Sequence, residues 1–401
     1  MTFSRNVQKF IVGQGLSNIG AMLKQVAISW FAYAITEDAF YLAFIVFMRS
    51  SIVFLVSPFA GSLADRYNKL KLLLLSNSIL FLNTALLTIL VFYDEITIAI
   101  LIGIQIIYGF ASGIEAPARQ SFINDIITDK KDLSKIISIN NTVFNVARVI
   151  GYTLGGVLIS IIGIEYCFTI YSCLLFIVIL IFYFIKYKPK NAIKSEKNFK
   201  NDFLEGVKYT INHNSISLLM IVMIFVTFLS LSYEVLLPVF VKNILNQDSK
   251  LFGFLMGMLG LGSITGGLLM IKKKNESKLE NTLQLSILLF GILISVFAFT
   301  NSKYIAFLLL FLIGIQRIQI FTSLSVLVQN LVEDTKRGRV LGLYMMLFMI
   351  SRSLGDLLMG FLSNFLGISF VIFLGGISSI LLAFFLKFKL KNNDILNFSN
   401  S

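Results

Sequence analysis

Residues 72–93 read LLLLSNSILFLNTALLTILVFY, a run without a single charge. At about 1.5 Å rise per residue a helix of this length spans the ~30 Å hydrocarbon core of a bilayer. Backbone polar groups inside lipid must pair within their own segment, so the run predicts a membrane-crossing helix. The same reading extends along the chain. Apolar stretches at 10–34, 40–64, 70–93, 97–120, 138–162 and 166–187 precede stretches at 214–240, 250–271, 281–300, 303–330, 339–364 and 367–388. The expectation is an all-α membrane protein with twelve transmembrane helices.

Composition agrees. The 401 residues are 57% hydrophobic and 14% charged, whereas soluble domains carry about a quarter charged residues. Net charge is +13, but no basic stripe with interleaved aromatics points to nucleic acid. Twenty-six of the 34 Lys and Arg residues fall in alternate connections and at the ends, including seven from Lys186 to Lys208. The intervening connections hold Lys242, Lys250 and Lys303 beside Glu37, Asp38, Asp94, Glu95 and Glu165. Basic residues collect on the cytoplasmic side, so both termini are expected there, in the cell membrane. Cys167 and Cys173 share one span and read as small core residues. The first run, from Phe10, has no small-residue cleavage site and reads as a retained span.

The chain divides into halves. Residues 1–187 form one expected six-helix bundle, 188–213 a polar cytoplasmic linker and 214–401 the second bundle. Phe203 to Tyr209 within the linker reads as a short helix on the membrane surface. A shift of 204 positions sets Arg148 on Arg352, Gly151 on Gly355, Gly156 on Gly360 and Gly163 on Gly367. Parallel repeats of this kind are a transporter trait, with a substrate site expected between pseudo-symmetric halves.

Between the second and third spans lies Gly61-Ser-Leu-Ala-Asp65-Arg66-Tyr-Asn-Lys69-Leu-Lys71. Gly61 is expected to serve a tight turn and close helix approach, and Asp65 to accept from helix N-terminal amides. This loop resembles the signature of the major facilitator superfamily. Tyr108-Gly-Phe-Ala-Ser-Gly-Ile-Glu-Ala-Pro117-Ala-Arg119-Gln, Lys336-Arg337-Gly338-Arg339-Val340-Leu-Gly and Gly355-Asp356 resemble its drug, macrolide and siderophore efflux branch, of drug:proton antiporter type. The resemblance implies the major facilitator fold, and a gating role for Gly61, Asp65, Arg66, Lys69, Glu115, Arg119, Arg337 and Arg339. Two departures stand out. Tyr152 replaces the Pro of the antiporter motif, and Gln105 stands where the family often places an Arg before Gly109.

Eight ionisable residues fall within spans: Lys24, Arg49, Glu115, Arg148, Glu234, Arg317, Arg352 and Asp356. A charge at bilayer depth costs ~2.5–3.5 kcal/mol on insertion scales, so such residues normally face the protein interior. Arg352 and Asp356 are four apart on one helix and can pair, as a structural ion pair or as a titratable couple. Glu234 is an alternative proton carrier or an interfacial residue. Arg119 is a candidate partner of Asp65. Lys24, Gln25, Arg49, Arg148, Glu234, Arg317, Arg352 and Asp356 are the candidate substrate and proton pathway. Five cations against three acids would favour an anionic ligand if they line one cavity. Trp30 and neighbouring Phe residues are candidates for an aromatic wall.

No His-rich metal set, nucleophile motif or phosphate loop is present, so an enzyme, a cofactor and ATP drive are not expected. The reading is a monomeric secondary transporter exporting a small amphiphilic or anionic compound, such as a macrolide, by proton antiport and alternating access. The alternatives are a dedicated exporter of an endogenous metabolite such as a siderophore, or a non-transporting membrane sensor.

Overall fold

The computed structural model describes residues 4–127, 130–187, 199–271 and 276–391. Twelve helices, or helical stretches, are long and apolar enough to cross a membrane, and no strand occurs among the described residues. The chain is a multi-pass membrane protein. The first six crossings are α1 (Arg5–Thr36), α2 (Ala39–Arg66), α3 (Lys69–Phe92), α4 (Ile98–Ile126), α5 (Lys130–Ile162) and α6 (Ile164–Tyr183). A further helix, α7 (Phe199–Asn212), follows; residues 188–198 of the expected linker lie outside the described residues.

Span seven is composite. It runs as α8 (Asn214–Phe225), a π turn (Val226–Ser230), a 3₁₀ segment (Leu231–Leu236) and α9 (Leu237–Asn243). Then come α10 (Ser249–Ile271), α11 (Glu276–Phe297), α12 (Lys303–Leu331), α13 (Arg337–Leu366) and α14 (Ile368–Lys391). Two spans end earlier than their apolar composition suggested: α6 stops at Tyr183 and α11 at Phe297. Hydropathy does not register a helix end when the following turn is itself apolar. A third departure is the break in span seven, where a uniform α-helix is expected from hydropathy.

Polar residues in the connections act as caps, taking up amides that a helix start leaves unpaired. Asp38 accepts from Phe40 N (2.7 Å), Asn68 from Lys71 N (3.1 Å) and Thr97 from Ile100 N (3.3 Å). Within the spans, hydroxyls such as those of Ser57 and Thr84 donate back to carbonyls one turn earlier, so they add no unpaired polar group in lipid. Large apolar side chains including Phe59, Leu82, Phe365 and Phe388 stand exposed on the outside, as expected where the solvent is hydrocarbon.

Two compact units result: residues 1–195 with 241–257, and residues 196–240 with 258–401. In the first, α1 packs on α5 and α6, α2 on α4, and α3 on α4 and α6. Phe10, Phe122 and Phe182 stack in its core. Residues 241–257 join this unit through Asn243, which donates to the Tyr33 hydroxyl (2.7 Å), and Phe252, which stacks on Trp30.

The second unit repeats the scheme. Span seven packs on α13 and α14, and α11 on α12 and α14, while α10 meets α12 across Gly262 and Gly314. The pairs first–fifth, first–sixth, second–fourth, third–fourth and third–sixth therefore recur six spans later. The aligned residues behave alike. A Cβ on Gly151 would stand 2.5 Å from Ile19 O of α1, and one on Gly355 would strike the Phe228 carbonyl of span seven. Gly163 and Gly367 turn the chain with φ of +95° and +82°, values that L-residues rarely adopt.

Candidate functional site

Each unit holds its own buried polar cluster. In the first, Lys24 is 1% exposed. Its Nζ donates to Gln105 Oε1 (3.2 Å) and lies 3.3 Å from the centroid of the Tyr108 ring. A ring face attracts a cation, more so where water is excluded. The Tyr108 hydroxyl meets that of Tyr171 at 3.3 Å. Gln25, next to Lys24 on the same helix, accepts a hydrogen bond from Arg49 Nη1. Among the described residues neither Lys24 nor Arg49 forms an ion pair. Gln105 Nε2 is buried without a hydrogen-bond partner among the described residues. Gln105 thus answers the departure seen in the sequence: the cation comes from α1 and the amide of α4 receives it.

In the second unit four charges form one network. Glu234, on the 3₁₀ segment, accepts from Arg317 Nη1 of α12 through Oε1 (2.7 Å) and from Arg352 Nη2 of α13 through Oε2 (3.1 Å). Arg352 Nε donates to Asp356 Oδ2 one turn further along α13 (3.1 Å). Glu234 is therefore paired with two guanidinium groups rather than reaching headgroups. Asp356 is 4% exposed at its side chain, while each Arg is 21% exposed. The break in span seven lets these groups meet. Gly355 brings α13 against Phe228 of the π turn, and Ser232 Oγ donates to Thr227 O (3.1 Å) inside the irregular stretch.

The remaining candidates lie elsewhere. Arg148 is half-buried, with its guanidinium 4.8 Å from the Phe144 ring centroid. Glu115 and Arg119 pair at 3.7 Å on α4, so Arg119 has a partner on its own helix. The side chain of Asp65 lies outside the described residues. Gly61 corrects an expectation: a Cβ there would meet nothing within 4 Å, and the residue sits inside α2 rather than in a turn, so close helix approach does not require it. Arg66 is exposed. Lys69 Nζ pairs with Asp125 Oδ2 of α4 (2.6 Å), which also accepts from the Tyr187 hydroxyl (2.6 Å). Burial and the Asp125 carboxylate hold that phenol above its ordinary pKa. Arg337 pairs with Asp334 (2.7 Å). Arg339 pairs with Glu205 of α7 (2.9 Å), which also takes Lys336.

A family model described as "transmembrane secretion effector" matches residues 3–401. The chain belongs to this family. Among curated proteins, a staphyloferrin A transporter of Staphylococcus aureus (strain NCTC 8325 / PS 47) is 29% identical over 378 residues, covering 93% of this chain and 94% of its own. An uncharacterized MFS-type transporter, YfmI of Bacillus subtilis (strain 168), is 25% identical over 322 residues, covering 76% and 77%. Among solved structures the nucleoside transporter NupG superposes with a TM-score of 0.76 at 13% identity, covering 96% of this chain and 99% of that one. A bacterial homologue of the human lysosomal transporter Spinster gives 0.73 at 15%, covering 96% of each. The secretion-effector chain is thus a membrane transporter of the major facilitator type, with that superfamily's fold, and not an enzyme.

Some members of the transporter's clusters escaped sequence reading. Tyr108 and Tyr171 are ordinary aromatic residues in apolar runs. Glu205 and Asp125 sit among other charges at helix ends.

Proposed function

We propose that this transporter exports a small carboxylate-bearing metabolite of the iron-chelating class across the cell membrane, in exchange for protons. The observation that carries the reading is the surplus of cationic side chains inside the spans. Lys24 and Arg49 rest on neutral partners in one unit, and Arg317 and Arg352 share the carboxylate of Glu234 in the other. Buried positive charge attracts anions and repels cations. A chelator of a hard metal ion carries anionic oxygen donors, since such ions prefer oxygen ligands. The likeness to a staphyloferrin A transporter over most of both chains points the same way.

The roles follow from the chemistry. Lys24, Arg49, Arg148, Arg317 and Arg352 bind anionic groups, with Gln25 orienting Arg49. Asp356 carries the proton, its affinity set by where the Arg352 guanidinium sits. Gly61, Asp65, Arg66 and Lys69, with Glu115, Arg119, Arg337 and Arg339, control opening towards the cytoplasm, where both termini lie. The unit of transport is the monomer, alternating between states open to either side. A second reading, export of an amphiphilic drug such as a macrolide, draws on the motifs at Tyr108–Gln120 and Lys336–Gly342 and on the Trp30–Phe252 stack.

The test is efflux from proteoliposomes with an imposed proton gradient, loaded with a carboxylate siderophore or a macrolide. Gradient-dependent loss of the siderophore is expected. Loss of the macrolide alone would favour the second reading, and loss of neither would end both.

A further inference from the structure

We propose that Glu234 is a built-in surrogate ligand: it fills an anion site formed by Arg317 and Arg352, and a carboxylate of the substrate takes its place. This deepens, and rests on, the reading that the transported compound bears carboxylates.

The contact is of the kind a bound carboxylate makes. Each oxygen of Glu234 faces a different guanidinium, Oε1 at 2.7 Å from Arg317 Nη1 and Oε2 at 3.1 Å from Arg352 Nη2. Two guanidiniums from two helices converging on one planar anion favour an oxyanion such as a carboxylate over neutral or cationic groups. The Arg352 side of the receptor is anchored without Glu234. Arg352 is held by Asp356 through Nε, leaving Nη2 for the anion. Its helix is seated on span seven at Gly355, where no side chain would fit. The ligand half rides on irregular backbone. Glu234 lies in a 3₁₀ segment directly after a π turn, where the regular i→i−4 ladder is interrupted and a change of helical register needs no break in a continuous α-helix.

Access is also suitable. The guanidinium-bearing side chains are 21% exposed while Glu234 is 11% exposed, so the cations present accessible surface although their shared acid is more deeply set. A guest carboxylate can approach one guanidinium before the internal one departs. The exchange leaves the number of charge-assisted bonds on Arg317 and Arg352 unchanged, and the arginines are never left unpaired, a state that would be strongly destabilising. The same geometry disfavours cationic guests. A cation would have to face two guanidiniums, and the carboxylates nearby, Glu234 and Asp356, are already engaged by them.

The experiment uses the full-length protein in lipid nanodiscs with citrate as probe, comparing wild type, Glu234→Gln, Arg317→Lys and Arg352→Lys by equilibrium binding. Removing the internal competitor should tighten citrate binding about tenfold in Glu234→Gln. The lysine variants should weaken it at least tenfold, because a point charge cannot replace the planar fork. If Glu234→Gln does not remain monodisperse, Glu234→Asp serves in its place: the shorter acid cannot reach both arginines, and tighter citrate binding is again expected. Unchanged or weaker binding on altering Glu234, with wild type binding citrate, overturns the surrogate and leaves the carboxylate reading standing. Citrate binding to no form of the protein overturns both.

Discussion

Replacing Gly151 by Ala tests whether α1 and α5 of the first unit are held by backbone-to-backbone contact. A Cβ at this position would stand 2.5 Å from Ile19 O and 2.6 Å from Met22 Cβ of α1. Ordinary carbon–oxygen contacts begin near ~3.3 Å, so α5 must retreat by about 0.8 Å along the most extensive contact that α1 makes. A gap of that size forfeits a quarter to a half of each dispersion contact across the seam, and overpacking of this kind costs roughly 1–3 kcal/mol. For a unit of this size each kcal/mol moves the melting midpoint by about 2–4 °C, so a fall of about 2–12 °C is expected in detergent thermal-shift measurements. Gly355→Ala should behave alike, because its Cβ would strike the Phe228 carbonyl. Gly61→Ala is the control. Its Cβ meets nothing within 4 Å, and the gain in helix propensity of about 0.5–1 kcal/mol should leave the midpoint unchanged or slightly raised. A Gly151→Ala protein that melts with wild type, while Gly61→Ala does not differ from it either, would mean that α1 and α5 separate freely and that the repeat is not built on close approach.

Asp125→Asn should lower the midpoint more than removal of either partner alone, by about 2–3 kcal/mol, since one carboxylate holds both Lys69 and Tyr187 and is only partly exposed; an unchanged midpoint would show the pair to be idle. Asp356→Asn should abolish proton release measured with a pH dye during transport while substrate still binds, and retained proton coupling would remove Asp356 from the proton path. Glu205→Ala should speed tryptic cleavage after Lys200 and Lys208, as α7 loses its ties to Lys336 and Arg339; each such exposed pair contributes about 0–1 kcal/mol, so little change in thermal midpoint should accompany it.

Much of the architecture was legible because lipid leaves few options. Length and apolarity located all twelve crossings, and the gap-free alignment of Arg148 with Arg352 and Gly163 with Gly367 anticipated the recurring helix pairs. Local spacing also foretold Arg352 beside Asp356, since residues four apart share a helix face, whereas Arg119, expected as a partner of Asp65, pairs with Glu115 of its own helix. What spacing could not convey is which helix a charge meets. Glu234 and Arg317 are 83 positions apart, and nothing in either neighbourhood specifies the other. The break in span seven was hidden for another reason. No glycine or proline marks residues 226–236, and Pro238 comes only after it. The available hint was hydroxyl density: Thr227 and Ser232 bond carbonyls of their own span, and such bonds compete with the helical ladder, while Ser230 reaches the Gly375 carbonyl of α14. Gly61 erred in the opposite direction. A glycine in a recognisable loop was read as a packing device, although its surroundings are open.

The glycine corners at 163 and 367 carry a lesson for the architecture as a whole. Both reverse the chain between adjacent crossings with nearly the same backbone torsions, φ +95° and ψ 166° against φ +82° and ψ 150°. The α5–α6 and α13–α14 connections therefore reverse the chain by the same backbone device. A chimaera spliced at the two corners would meet each partner helix travelling in the right direction, so the chain carries within itself the joints at which new transporters of this shape can be assembled.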